Sequence, residues 1–284
     1  MGTTRLSAQG TVGRGLSPAI WQAYGFIGGD FSDPSLKQFF FDDFANLGVQ
    51  ASTVSQGGYI TLQEGASTIQ QYGTIDNSQE EFGVLAIESF DGTHEEASIE
   101  LGAGAGGMVR LDTTVGSRAV VAWEARIRRT TVTDSHTSFA FGLAEPGLAA
   151  AGTLADTTAI LASKDFIGFQ TLAASNEEVD AIYRTDGQAL GTVTDNAGTA
   201  VAATYQKYGC VFDPLARDGK KMRFFIDGAE ISYDTEITDA VIAGATFPLD
   251  ESLTLLLAAV NTATTTDHPM FMDWWAVGSI PVDI

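Results

Sequence analysis

Cysteine occurs once in the 284 residues, histidine three times, and lysine plus arginine only 15 times against 36 acidic residues. Each shortage removes a class of chemistry. A single cysteine forms no intramolecular disulfide, and no Cys/His cluster has zinc spacing. Cys210 lies in the apolar run Tyr208-Gly-Cys-Val-Phe212 with no histidine near it in sequence, so it reads as a structural thiol and not a nucleophile. His94, His136 and His268 are far apart, and none sits in an H-E-x-x-H frame. The formal net charge of −21 gains nothing from phosphates, which disfavours direct nucleic-acid and anionic-membrane binding. No apolar run approaches the ~20 residues that cross a bilayer. The opening Met1-Gly-Thr-Thr-Arg-Leu6 lacks the apolar core of a secretory signal, so the expectation is a chain made and kept soluble.

Catalytic motifs are equally scarce. No Gly-x-Ser-x-Gly elbow occurs, and Gly102-Ala-Gly-Ala-Gly-Gly107 has no following Gly-Lys-Ser/Thr, so it reads as a hairpin loop and not a phosphate cradle. A glycosidase needs two carboxyl groups held across the sugar bond. Laminarinase-type sandwiches carry them as Glu-x-Asp-x-x-Glu on one strand, and that pattern is missing. Glu80-Glu81, Glu95-Glu96 and Glu177-Glu178 are adjacent pairs. Neighbours on a strand point to opposite faces, so these pairs are expected to be solvated loop charges. Glu124, between Trp123 and Arg126, is expected in a cross-strand ion pair.

What remains is β structure. Val121, Trp123, Ala125 and Ile127 alternate with Glu124, Arg126 and Arg128, the period of two of a half-buried antiparallel strand. Arg223-Phe-Phe-Ile226 and Ala229-Glu-Ile231 flank Asp227-Gly228, the dipeptide that most strongly signals a tight hairpin because both turn residues tolerate φ > 0. Further strands are expected at Phe39–Phe44, Gly58–Gln63, Gly83–Ser89, Ala97–Leu101, Met108–Asp112, Ala119–Arg129, Ser138–Ala144, Asp165–Thr171, Val179–Arg184, Lys207–Phe212, Lys220–Ile226, Glu230–Asp234, Leu253–Val260 and Met270–Gly278. Leu253–Val260 is apolar almost throughout, as a strand covered on both faces would be. Gly147–Ala162 and Ser175–Asp180 each have room for a turn or short helix, and Gly187–Thr204 reads as a long loop or hairpin tip. Many strands and almost no helix predict an all-β jelly-roll sandwich.

The organisation expected is an extended N-terminal arm over residues 1–35 and a sandwich over 36–284. The arm carries isolated apolar anchors, Trp21, Tyr24, Phe26 and Ile27, too few for a core of its own. It either packs across the sandwich or reaches a neighbouring molecule, where these four would bind the partner. Asp42 and Asp43 close an aromatic strand and Asp273 sits in the last one; oxygens from distant strands suit a structural calcium ion, and Asp at strand ends equally suits turns. Of the adjacent pair Trp274 and Trp275, one faces outward. An outward Trp275 is the candidate for stacking on a sugar ring, the alternative being burial under the arm or at a subunit contact.

Several segments occur in a familiar order: Trp123-Glu-Ala-Arg126, Phe139-Ala-Phe-Gly-Leu143, Asp165-Phe-Ile-Gly-Phe169, Arg223-Phe-Phe-Ile-Asp-Gly228, Pro248 before Leu253–Asn261, and Met272-Asp-Trp-Trp-Ala-Val277. Their order resembles concanavalin A-like (laminin-G-like) jelly rolls, especially those of tailed-phage virion proteins. Ser17-Pro-Ala-Ile-Trp21, Asp33-Pro-Ser35 and Phe39-Phe-Phe-Asp-Asp-Phe44 resemble the opening of such phage structural proteins. The resemblance implies a non-enzymatic virion subunit made in the host cytoplasm, as a head-surface (capsid decoration) protein. It would form a homo-oligomer on the particle and contact the major capsid protein or other virion proteins. The alternative it implies is a carbohydrate-binding adhesin of a tail fibre or spike, with glycans as partners. The family also contains glucanases, whose carboxylate pattern is not matched.

Overall fold

Strands that send alternate side chains to opposite faces build most of the described elements. The structure, a computed structural model, describes residues 15–26, 38–44, 59–63, 68–72, 84–88, 95–102, 106–132, 137–147, 154–155, 159–160, 164–172, 175–261 and 269–282. Its strands are β1 (Gln38–Asp42), β2 (Tyr59–Gln63), β3 (Thr68–Tyr72), β4 (Val84–Glu88), β5 (Glu95–Leu101), β6 (Val109–Arg110), β7 (Ala119–Arg129), β8 (Thr137–Ala144), β9 (Leu154–Ala155) and β10 (Ala159–Ile160). There follow β11 (Phe166–Leu172), β12 (Ser175–Arg184), β13 (Gly191–Thr199), β14 (Tyr205–Phe212), β15 (Met222–Ile226), β16 (Ala229–Glu230), β17 (Ser252–Asn261) and β18 (Met270–Pro281). Two four-residue helices, α1 (Pro18–Trp21) and α2 (Asp239–Ile242), complete the described elements.

Two antiparallel sheets pack face to face. The first runs β16-β15-β14-β7-β18-β4-β3, with β1 also paired to β18; the second runs β13-β12-β11-β8-β17-β5-β2, with β6 on β17. Neighbours in space come from distant parts of the chain, as when β7 lies between β14 and β18. This is a concanavalin A-like jelly roll. The inward alternate of β7 meets the second sheet edge-on: the Trp123 ring stands 5.0 Å from Phe141 and 5.9 Å from Phe169. Aromatic pairs favour that arrangement because the ring edge is positive and its face negative. β17, central in the second sheet, is buried on both faces from Leu253 to Val260.

Asp227-Gly228 is the turn expected. Ile226 pairs with Ala229, and Asp227 and Gly228 have φ of 50° and 77°, the left-handed pair of a type I′ turn. The Asp227 carboxylate accepts the Lys207 N–H at 2.9 Å, tying the hairpin to β14. Some expectations fail. Gly187–Thr204 is not a loop throughout, since β13 occupies its middle; its pairing to β12 is interrupted by two register shifts and Asn196 has φ 56°. Ser175–Asp180 is strand and not helix. The strand expected at Glu230–Asp234 ends at Glu230.

Candidate functional site

The outer face of each sheet carries an unusual set of side chains. On the first sheet, Ala122, Glu124, Lys207, Gly209, Val211, Phe225, Ala276 and Gly278 meet residues 15–26, which cross the face. Ile20, Trp21 and Phe26 are buried against Val120, Ala122, Val211, Phe225 and Ala276. Two strand glycines make room for them. A Cβ on Gly209 would lie 2.6 Å from Ile20 Cδ1, and one on Gly278 would lie 2.7 Å from Phe26 Cε1.

Glu124 anchors the polar side of this contact. Its Oε2 accepts the Ser17 N–H at 3.0 Å and the Trp21 Nε1–H at 2.7 Å, while Oε1 is buried without a hydrogen-bond partner. Burial pushes its carboxyl above the usual range, opposed by those donors and by the Lys207 charge. The ion pair expected for Glu124 is therefore corrected: the carboxylate binds the arm. Of the residues expected to bind a partner, Trp21 and Phe26 are buried against their own sheet. Tyr24 is half-buried with the Arg223 guanidinium 5.2 Å from its ring, and Ile27 lies outside the described residues.

The calcium and sugar-stacking candidates cluster around β1 and β18. Asp42 accepts hydrogen bonds from the Tyr59 hydroxyl and from Phe44 N–H; burial, then the Asp42 carboxylate, push the Tyr59 phenol well up. Asp273 pairs with the Arg126 guanidinium, and Asp43 is exposed. Among the described residues no three His, Cys, Asp or Glu side chains stand together as a metal site. Trp275 faces inward, fully buried and stacked on Tyr59 at 5.7 Å beside Phe44 at 5.6 Å. It presents no face to a sugar, which corrects that expectation. Trp274 faces outward but is itself buried, its ring 5.8 Å from the exposed Phe41.

The second sheet holds the more telling constellation. In β5, Ala97, Ile99 and Leu101 enter the core, which sends Glu96, Ser98 and Glu100 together to the outer face. All three are buried, at 2%, 0% and 0% exposure, so Glu96 is no solvated loop charge. Exposed Glu177 and half-buried Glu178 come nearer that expectation, while Glu80 and Glu81 lie outside the described residues. From Ser98 a row crosses the sheet through Ala258, Ala140 and Gln170 to Asp180. The adjacent row runs Glu100, Leu256, Gly142, Gly168, Ile182. Small residues thus occupy the middle of each row; polar ones stand at both ends of the first, while in the second Leu256 and Ile182 join Phe166 in a buried apolar cluster. A Cβ on Gly142 would lie 2.3 Å from the Ile167 carbonyl oxygen, so nothing larger fits there.

Among the described residues, two polar atoms of this face lack partners. Ser98 Oγ and Gln170 Oε1 are buried without a hydrogen bond, in side chains 0% and 3% exposed. Glu100 Oε1 accepts the Gly147 N–H at 2.7 Å. Asp180 accepts the Asn196 N–H at 3.0 Å, and burial followed by nearby Asp195 pushes its carboxyl up against that bond. β9, paired with β10, runs beside β8 and β17. The Glu-x-Ser-x-Glu spacing of β5 differs from the laminarinase-type pattern, which has an acid at the middle position and one more residue before the last.

No protein-family model matches this chain, and no curated protein does. Solved structures do. The protein of unknown function SO2946 from Shewanella oneidensis MR-1 is 12% identical over 87% of this chain and 88% of its own, with a TM-score of 0.55. The potassium-bound carbohydrate recognition domain of Emp46p is 10% identical over 83% and 94%, with a TM-score of 0.53. An endo-β-1,4-glucuronan lyase from Trichoderma reesei is 14% identical over 84% and 94%, with a TM-score of 0.51. At such identities what is shared is the fold: this chain is built as the lectin-like jelly rolls are.

Proposed function

We propose that this protein is a carbohydrate-binding β-sandwich that recognises a glycan on the outer face of its second sheet. The observation that carries the proposal is the pair of unpartnered buried atoms, Ser98 Oγ and Gln170 Oε1, on a face floored by Ala140, Ala258, Gly142 and Gly168. A buried polar atom without a partner costs about 1–3 kcal/mol, a cost a ligand hydroxyl removes by supplying the missing bond. Glu96, Glu100 and Asp180 add acceptors for further hydroxyls, and the carbohydrate-recognition domain among the fold neighbours supports the same class of ligand. The virion surface implied by the segment resemblance is the setting we assign, with glycan recognition taking precedence over head decoration because Trp21 and Phe26 are spent on the chain's own sheet.

Glycan-array binding of the full chain tests this. Retention should fall about tenfold with Gln170→Leu, the loss of roughly one hydrogen bond, while the fold persists by circular dichroism. Absence of binding to every glycan refutes it. Immunogold labelling of purified particles tests the setting. One observation favours a second reading, a glycoside hydrolase: Glu96 and Glu100 project from one strand to one face, and acid–base cleavage needs two such carboxyls. Release of reducing ends, abolished by Glu96→Gln and by Glu100→Gln, would establish it; no turnover on any bound glycan would dismiss it.

A further inference from the structure

We infer that residues 15–26 form an exchangeable clip, and that the groove on the outer face of the first sheet accepts this segment from a second copy of the chain. The clip is held against the sheet face by side chains, by one backbone N–H and by one carbonyl. Ile20 and Phe26 fill the holes over Gly209 and Gly278. Ser17 N–H and Trp21 Nε1–H reach Glu124, and Lys207 Nζ donates to the Gly15 carbonyl at 3.3 Å. Among the described residues, no strand of the ladder belongs to this segment, so it leaves and returns without breaking the sheet.

The connection to β1 is far longer than its gap. A Cβ on Gly278 would touch both ends of that connection, the Phe26 ring at 2.7 Å and the Gln38 carbonyl oxygen at 3.2 Å. Residues 27–37 nevertheless lie between them, a length that spans about 36–40 Å when extended. That surplus reaches the equivalent groove of an adjacent molecule, where the clip makes the same contacts as in its own. An empty groove exposes an apolar strip and leaves Glu124 without its two donors, so a clip that departs is replaced by another. Mutual repulsion of copies carrying a net charge of −21 opposes the approach, and salt screens it.

A disulfide trap distinguishes the two modes. Ser17 Cβ lies 3.3 Å from a Cβ built on Gly228, near the spacing a disulfide spans, while Cys210 is buried out of reach. Chains carrying S17C alone and G228C alone are mixed and oxidised, a combination that links only in exchange. The expected result is a two-chain species that grows with protein concentration and with salt up to about 0.5 M. Closure of the S17C/G228C double variant within its own chain, with no linked species from the mixed singles at any concentration, overturns the proposal, as does failure of both to link. Should G228C not fold, light scattering of the unaltered chain decides. Growth above 30.0 kDa that disappears with Trp21→Ala supports exchange, and a mass that never rises, or rises regardless of Trp21, overturns it.

Discussion

Glu124→Gln is expected to tighten the docking of residues 15–26 at neutral pH and to remove its pH dependence. The Glu124 carboxyl is fully buried, takes two donors on one oxygen and none on the other, and Lys207 is the cation acting on it. With the arm in place its pKa is raised, burial outweighing the pull of Ser17, Lys207 and Trp21, so the covering of this carboxyl binds a proton. Docking is therefore strongest below the ordinary glutamate value of 4.5 and weakens as pH rises towards the raised one. Within that window each pH unit is worth up to ~1.4 kcal/mol, about tenfold in the docking constant. Glutamine keeps an oxygen for Ser17 and Trp21 and removes the cost of burying a charge, a gain of about 1 kcal/mol at pH 8 set against an amide N–H with no acceptor. Hydrogen exchange of the Trp21 indole and of the Ile20 and Trp21 amides, corrected for intrinsic rates, gives the opening constant of the arm directly. Other carboxylates titrate in both proteins, so the difference between them isolates Glu124. A glutamine variant weaker than the parent by the same factor at pH 5 and pH 8 would refute the reasoning.

Gly278→Val should expel Phe26, because even a Cβ there falls 2.7 Å from its ring; the arm becomes the first site cut in limited proteolysis while the strand signature by circular dichroism is kept. A protease pattern identical to the parent contradicts this. Ser98→Ala should raise the free energy of urea unfolding by about 1 kcal/mol, since it deletes an unsatisfied buried hydroxyl, and should lower glycan retention in the same protein. A variant that loses stability shows instead that the Ser98 hydroxyl is satisfied.

The alternation in β7 was fully legible, because one face of that strand is apolar and the other charged. So was the turn at Asp227-Gly228, where backbone conformation alone selects the residues. β13 was not, because Thr192-Val-Thr-Asp-Asn-Ala-Gly198 carries little apolar contrast and its pairing is bulged; its strand character comes from β12 beside it. The second-sheet face stayed hidden for a related reason. Glu96, Ser98 and Glu100 alternate correctly, but a strand that buries carboxylates on its outer side looks, one-dimensionally, like a solvated one. Burial there is a property of what covers the sheet. Trp275 illustrates the converse: adjacency to Trp274 guarantees that the two rings diverge, and only the packing of Tyr59 and Phe44 tells which of them meets the core.

The groove under the arm also has a consequence in time. Its walls come from β7, β14, β15 and finally β18, so Trp21 is synthesised before Ala276 and Gly278 by most of the chain's length. At ribosomal rates of roughly 5–20 residues per second, the clip waits some tens of seconds for its binding surface. Throughout that interval an indole and a phenylalanine travel uncovered ahead of the sheet that will receive them. Folding of this chain therefore closes backwards: residues 15–26 leave the ribosome before the sheet that holds them and are among the last to find their place.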